Sequence, residues 1–135
     1  MLNFIWAYLV SIGAMTAIDS LWLGKIAPAF YKKHIGFILA DKPNILAAVA
    51  FYGLFVLGVT LFVVYPGWSN HQALWQVALK GAAFGLVTYA TYDLTNQATL
   101  KNWPAIVTVV DMIWGTVLVA AGSTAAVAIL RAAIK

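Results

Sequence analysis

The chain has 135 residues, 64% of them hydrophobic and 9% charged, with a formal net charge of +4, against roughly 25% charged in an ordinary soluble domain. Eight Lys and Arg with four Asp cannot cover the surface of a soluble domain of this size, so the solvent is read as largely lipid. The lack of cysteine excludes a disulfide framework and thiolate metal sites, and so small and scattered a positive charge gives no reason to expect nucleic acid as a partner.

A membrane helix needs about 20 predominantly apolar residues, and residues 2–24, 45–65, 73–96 and 104–131 each supply that length. The expected fold is all-α: a single polytopic domain, residues 1–135, built as a bundle of four transmembrane helices. Met1 to Trp6 carries no Lys or Arg ahead of the apolar run, so the first span is expected to stay in the mature protein. Residues 25–44 read as a loop. Within it Pro28 could open a short interfacial helix, with Phe30, Phe37 and Ile38 alternating with Lys32, Lys33 and His34, or the segment is an irregular connection. Pro66-Gly67 reads as a helix stop, and Ser69 with Gln72 as a capping box for the third helix. Residues 97–103 lead to Pro104, which suits the first turn of the fourth. Short connections predict antiparallel neighbours.

Lys25, Lys32, Lys33, Lys42 and Lys101 fall in the first and third loops, against Arg131 and Lys135 on the other side. This bias favours loops 25–44 and 97–103 in the cytoplasm and both termini in the periplasm. Trp6, Trp68, Trp75 and Trp103 fit an aromatic belt near span ends, and His34 and His71 read as interfacial polar residues. Lys80, inside the third span, is expected to snorkel outward.

Only one acid, Asp41, sits in an evident loop; Asp19, Asp93 and Asp111 fall inside the spans. In an antiparallel bundle, spans one and three end where span four begins, so these three carboxyls share one leaflet. An unpaired Asp at mid-membrane costs about 2.5–3.5 kcal/mol, so three approach roughly 8–10 kcal/mol. Each must then be protonated, hydrogen-bonded, cation-paired or in contact with water. Their neighbours are polar or small on the same helical faces: Tyr89, Asp93 and Asn96 on span three; Thr108, Asp111, Gly115 and Gly122 on span four; Ser11, Met15, Asp19 and Trp22 on span one. Gly81 and Gly85 form a GxxxG pair suited to close helix approach. Asp19-x-x-Trp22 and Asp111-x-x-Trp114 echo one another in antiparallel helices, but four matched positions are too few to establish an inverted repeat. The alternative to a binding site is structural, with carboxyls cross-linking helices through Asn96, Thr95, Tyr89 or indoles.

Catalytic templates are missing: there is no Gly-x-Ser-x-Gly, His-Glu-x-x-His, Walker or dinucleotide motif in the required context. No cofactor and no metal is expected. Carboxylate acid–base chemistry on a lipid or isoprenoid stays open.

Over nearly its whole length the chain resembles the predicted bacterial membrane protein family named domain of unknown function 2177. The resemblance rests on Asp19-x-x-Trp22-Leu23-Gly24, Phe51-Tyr52-Gly53, Gly81-Ala82-Ala83-Phe84-Gly85, the run from Tyr89 to Leu100 containing Tyr92-Asp93-Leu94-Thr95-Asn96, Trp103-Pro104 and Asp111-x-x-Trp114-Gly115. It implies a small inner-membrane protein with Asp19, Trp22, Tyr92, Asp93, Asn96, Asp111 and Trp114 on motif positions, and it implies no reaction.

The leading expectation is an intramembrane acidic pocket near the cytoplasmic side that binds a proton, a cation or a cationic or hydroxylated small molecule, in transport. Asp19, Asp93 and Asp111 would bind; Tyr89, Tyr92, Thr95 and Asn96 would orient; Trp22 and Trp114 would wall the pocket. A lipid- or isoprenoid-modifying enzyme or its accessory subunit is the first alternative, favoured by an apolar groove leading to the acids. A structural or assembly subunit is the second. A homo-oligomer is expected, since four helices leave little room for a private pore.

Overall fold

The computed structural model describes residues 1–134 and folds them into four helices, with no strand among the described residues. We number them α1 (Leu2–Ile35), α2 (Ile45–Ser69), α3 (Leu74–Thr99) and α4 (Ala105–Ala133). Three of them, α1, α2 and α4, are long and apolar enough to cross a membrane, at mean hydropathies of 1.5, 2.4 and 1.9. Length and composition along the sequence predict four such spans. α3 has the length, at 26 residues, but Gln76, Lys80, Thr88, Thr91, Asp93, Thr95, Asn96 and Gln97 make it the most polar of the four.

Two expected helix boundaries need correction, and proline explains both. Residues 25–35 are not a loop or a separate interfacial helix: α1 runs on through them by way of a π-turn at Trp22–Ile26, in which the Ala27 N–H reaches the Trp22 carbonyl. Likewise Pro66-Gly67 does not stop a helix. α2 continues to Ser69 through a second π-turn at Thr60–Val64, closed by the Tyr65 N–H on the Thr60 carbonyl. Each π-turn lies just before a proline, Pro28 or Pro66. A proline offers no N–H to the carbonyl four residues earlier and its ring crowds that carbonyl, so the turn around Gly24 or Phe62 widens by one residue instead of breaking.

The connections are short. Asn44 caps α2 by accepting the Ala47 N–H at 3.1 Å. The cap of α3 is at Ala73, whose N–H donates to Gln76 Oε1 at 3.1 Å, so the expected Ser69–Gln72 capping box does not form. His71 and Asn102 take positive φ, 50° and 61°, and reverse the chain before α3 and α4. Pro104 is the residue preceding α4, not part of its first turn.

α4 is the axis of the bundle, with a buried face that runs from Val107 to Leu130. Its tightest neighbour is α3. A Cβ on Gly81 would lie 2.7 Å from the Val119 carbonyl oxygen, and one on Gly85 would collide with the Gly115 carbonyl, so the GxxxG pair is what lets the two backbones touch. On the other side Met15 of α1 packs over Gly122. Met15, Val56, Val59, Val63, Val64, Val77, Leu118 and Val119 form one continuous core. At one end the Arg131 guanidinium donates to the carbonyls of Gly67 and Gln72 and ties α4 to the α2–α3 connection. Trp68 is buried there, while Trp6 and Trp75 stay exposed, so the expected belt of four tryptophans loses a member to the core. Lys80 is exposed, as expected, and donates to Gln72 at 2.9 Å.

The first half of α2 behaves differently. Ile45, Leu46, Val49, Phe51 and Leu54 are all exposed. α2 meets α1 where the Tyr8 hydroxyl donates to the Gly53 carbonyl at 3.0 Å. From that contact toward its N-terminus it leaves a cleft on each side.

Candidate functional site

At the end of the bundle where α1 and α3 finish and α4 begins, three carboxyls are buried: Asp19, Asp93 and Asp111 are 7%, 0% and 5% exposed. The helical faces foreseen in the sequence put them there. Ser11, Met15, Asp19 and Trp22 form one buried stripe of α1, and Thr108, Asp111, Gly115 and Gly122 lie on the buried face of α4. On α3 the buried stripe is Val77, Gly81, Gly85 and Asp93.

The three do not form one uniform cluster. Asp19 is separately bonded: Trp114 Nε1 donates to its Oδ1 at 3.1 Å. Trp114 in turn stacks on Trp22, with centroids 5.0 Å apart and planes at 14°. Asp93 and Asp111, on the adjoining helices α3 and α4, lie close enough to act on one another electrostatically. Asp111 receives a short bond, 2.6 Å, from the Tyr31 hydroxyl. Both oxygens of Asp93 are buried with no donor among the described residues. A carboxylate accepts and does not donate, so the Asp111 carboxyl beside it cannot satisfy Asp93 unless a proton or another donor enters between them.

Tyr31 was not singled out in the sequence, because residues 25–35 read as a loop. The π-turn supplies the reason it arrives. An uninterrupted α-helix would carry the Asp19 and Trp22 face on through Ile26; one extra residue turns the following segment by about 100°. Ala27 and Ile35 become the buried positions, with Tyr31 between them on that face. Trp22 packs edge-on against Tyr31 at 6.5 Å and 82°.

The remaining predicted residues divide. Tyr89 lies against Gly115 and edge-on to Phe55, 6.2 Å away. Its ring therefore stands between α2 and α4 beside the acids. Tyr92 is 60% exposed and packs against Trp103 at 6.1 Å. Thr95 is exposed and Asn96 half-buried, with no side-chain hydrogen bond found for either. Neither is brought to the carboxyls by a described contact.

Two clefts lead to this layer. One, about 390 Å³, is lined by Tyr31, Phe51, Phe55, Thr88, Tyr89, Tyr92 and Asp111 and opens beside α2. The other, about 790 Å³, lies between α1 and α2 and reaches Asp19 and Tyr52. The acids are thus approached sideways through mostly aromatic and aliphatic walls. Beneath them Met15, Leu118, Val119 and Val56 are wholly buried. No group of three or more His, Cys, Asp or Glu side chains among the described residues is placed to hold a metal ion.

A family model described as "Predicted membrane protein (DUF2177)" matches residues 4–128. No curated protein and no solved structure matches the chain.

Proposed function

Because this chain belongs to the predicted membrane protein family DUF2177, its setting is a membrane, and we propose that its Asp93–Asp111 pair binds the cationic or hydrogen-bond-donating group of a small amphiphile arriving sideways from the lipid. The observation that carries this is the condition of Asp93, wholly buried with both oxygens lacking a donor. A buried acceptor left unpaired costs about 1–3 kcal/mol, more if charged. A ligand that brings an ammonium, a hydroxyl or a bare proton or cation removes that penalty and gains a charge-assisted bond in a low dielectric.

The approach favours an amphiphile over a free ion. The cleft at Asp111 is walled by Phe51, Phe55, Tyr89 and Tyr92, which suit an apolar body with a polar end. Tyr31 and Tyr89 then orient that end, and Trp22 and Trp114 close the inner wall. Thr95, exposed, and Asn96, half-buried but without a described contact to the carboxyls, take a smaller part than the sequence pattern suggests. The packed layer of Met15, Leu118 and Val119 supports binding from one side; transport would require that layer to open. The lysine-rich end, with residues 36–44 and 97–103, is read as cytoplasmic in a bacterial inner membrane.

The same lateral access favours one second reading, an enzyme of lipid or isoprenoid chemistry in which a carboxyl of the pair acts as general acid or base. A purely structural role accounts less well for an unbonded Asp93 behind Asp111, which itself lines an open cleft.

The test is thermal unfolding in detergent with dodecylamine as the probe. The wild-type chain should be stabilised in a saturable way, and Asp93→Asn should lose the response. Dodecyltrimethylammonium, a cation without an N–H, separates charge from donation. Equal stabilisation of wild type and Asp93→Asn by dodecylamine would overturn the reading.

A further inference from the structure

The larger cleft, between α1 and α2, has a chemistry of its own. Its walls are Ile12, Leu23, Ile45, Ala48 and Val49, and the contact of Tyr8 with Gly53 closes its deep end. Along α1 it runs from Tyr8 to Gly24, about 24 Å at 1.5 Å per residue. One leaflet with its headgroups measures about 20–22 Å, half of a whole bilayer. Its volume of about 790 Å³ falls in the usual range for small-molecule sites, roughly 300–1,000 Å³.

The rim is positive. Lys25 follows Gly24 of the cleft wall, and Lys42 stands just ahead of Ile45 on the opposite wall; both are exposed. Lys32 and Lys33 lie at the same end, and Asp41 is the one acid between Lys25 and Asn44. Asp19 sits below the rim, about 9 Å along the helix from Lys25, and its Oδ1 is held by Trp114.

We propose that this cleft holds one acyl chain of an anionic phospholipid, with the phosphate between Lys25 and Lys42. Two features converge on that occupant: an apolar trough of leaflet depth and cations at its mouth. The site is separate from the Asp93–Asp111 pair and does not depend on its function. A zwitterionic lipid would fill the trough equally well but would gain much less from the two lysines. Each Lys near an anionic surface contributes roughly a factor of five in affinity, so removing both should weaken retention on the order of tenfold or more.

Native mass spectrometry in detergent, with phosphatidylglycerol or phosphatidylcholine added, reads this directly. Wild type should retain phosphatidylglycerol at least tenfold better. Val49→Trp, which fills the cleft from an exposed position, and the double variant Lys25→Gln/Lys42→Gln should each lose that retention, whereas Asp93→Asn should keep it. Equal retention of the two lipids would overturn the proposal, as would phosphatidylglycerol held undiminished by Val49→Trp. Should that variant not fold, a phosphatidylglycerol with a photoactivatable chain applied to wild type decides the matter. Labels concentrated at Ile12, Ile45 and Val49 support the site; labels spread evenly over α1 to α4 refute it.

Discussion

Trp22 and Trp114 stack face to face, 5.0 Å apart and 14° from parallel, and so join α1 to α4, two helices of opposite direction, at the level of the carboxyls. Each follows its own Asp by three residues, and the bond crosses over: the indole of Trp114 serves Asp19, not Asp111. Asp111 is served instead by Tyr31, from the far side of the π-turn. One indole stack and two donors hold Asp19 and Asp111 in place.

Trp114→Phe keeps an aromatic ring on Trp22 but leaves Asp19 without its donor, at a cost of about 1–3 kcal/mol. Trp22→Phe leaves the Trp114–Asp19 bond in place and should cost less. Unfolding in detergent compares them; equal losses would mean that stacking, not the Asp19 bond, matters.

Tyr31→Phe removes one hydroxyl and deprives Asp111 of its short bond. Because that bond also tethers residues 27–35 to α4, amide exchange there should accelerate while exchange in α4 below Gly115 stays unchanged. Unaltered protection of residues 27–35 would show that the tether is not what orders them.

Asp93→Asn is nearly isosteric and gives Asp111 an N–H donor. The variant should be more stable than wild type by about 1–3 kcal/mol, even as it loses the response to dodecylamine. A loss of stability would indicate that Asp93 already has a partner.

Gly85→Ala should destabilise by about 1–3 kcal/mol, since its Cβ meets the Gly115 backbone. Gly13, on an open face of α1 with nothing within 4 Å, should instead gain about 0.5–1 kcal/mol on change to Ala. Opposite signs test the α3–α4 contact.

Much of this was legible in the chain. Hydropathy places the helices, and the 3.6-residue period identifies the buried faces carrying Asp19, Asp93 and Asp111, because an acid in lipid is expensive enough to mark its own position. The prolines misled the reading. A helix-breaking rule cannot distinguish a stop from a widened turn when the surroundings hold the helix together, so Pro28 concealed Tyr31 and Pro66 concealed the last turn of α2. Phase is lost across an inserted residue, which is why no periodicity could connect Tyr31 with Asp111. The splaying of α2 was equally hidden, since an apolar face reads the same against lipid as against protein.

Carbodiimide modification, read residue by residue by mass spectrometry, tests most directly whether the buried acids communicate with lipid and not with bulk water. A membrane-soluble carbodiimide should label Asp93 or Asp111, while a water-soluble one should label the exposed Asp41 and spare both. Labelling of Asp93, Asp111 and Asp41 alike by the water-soluble reagent would contradict the account.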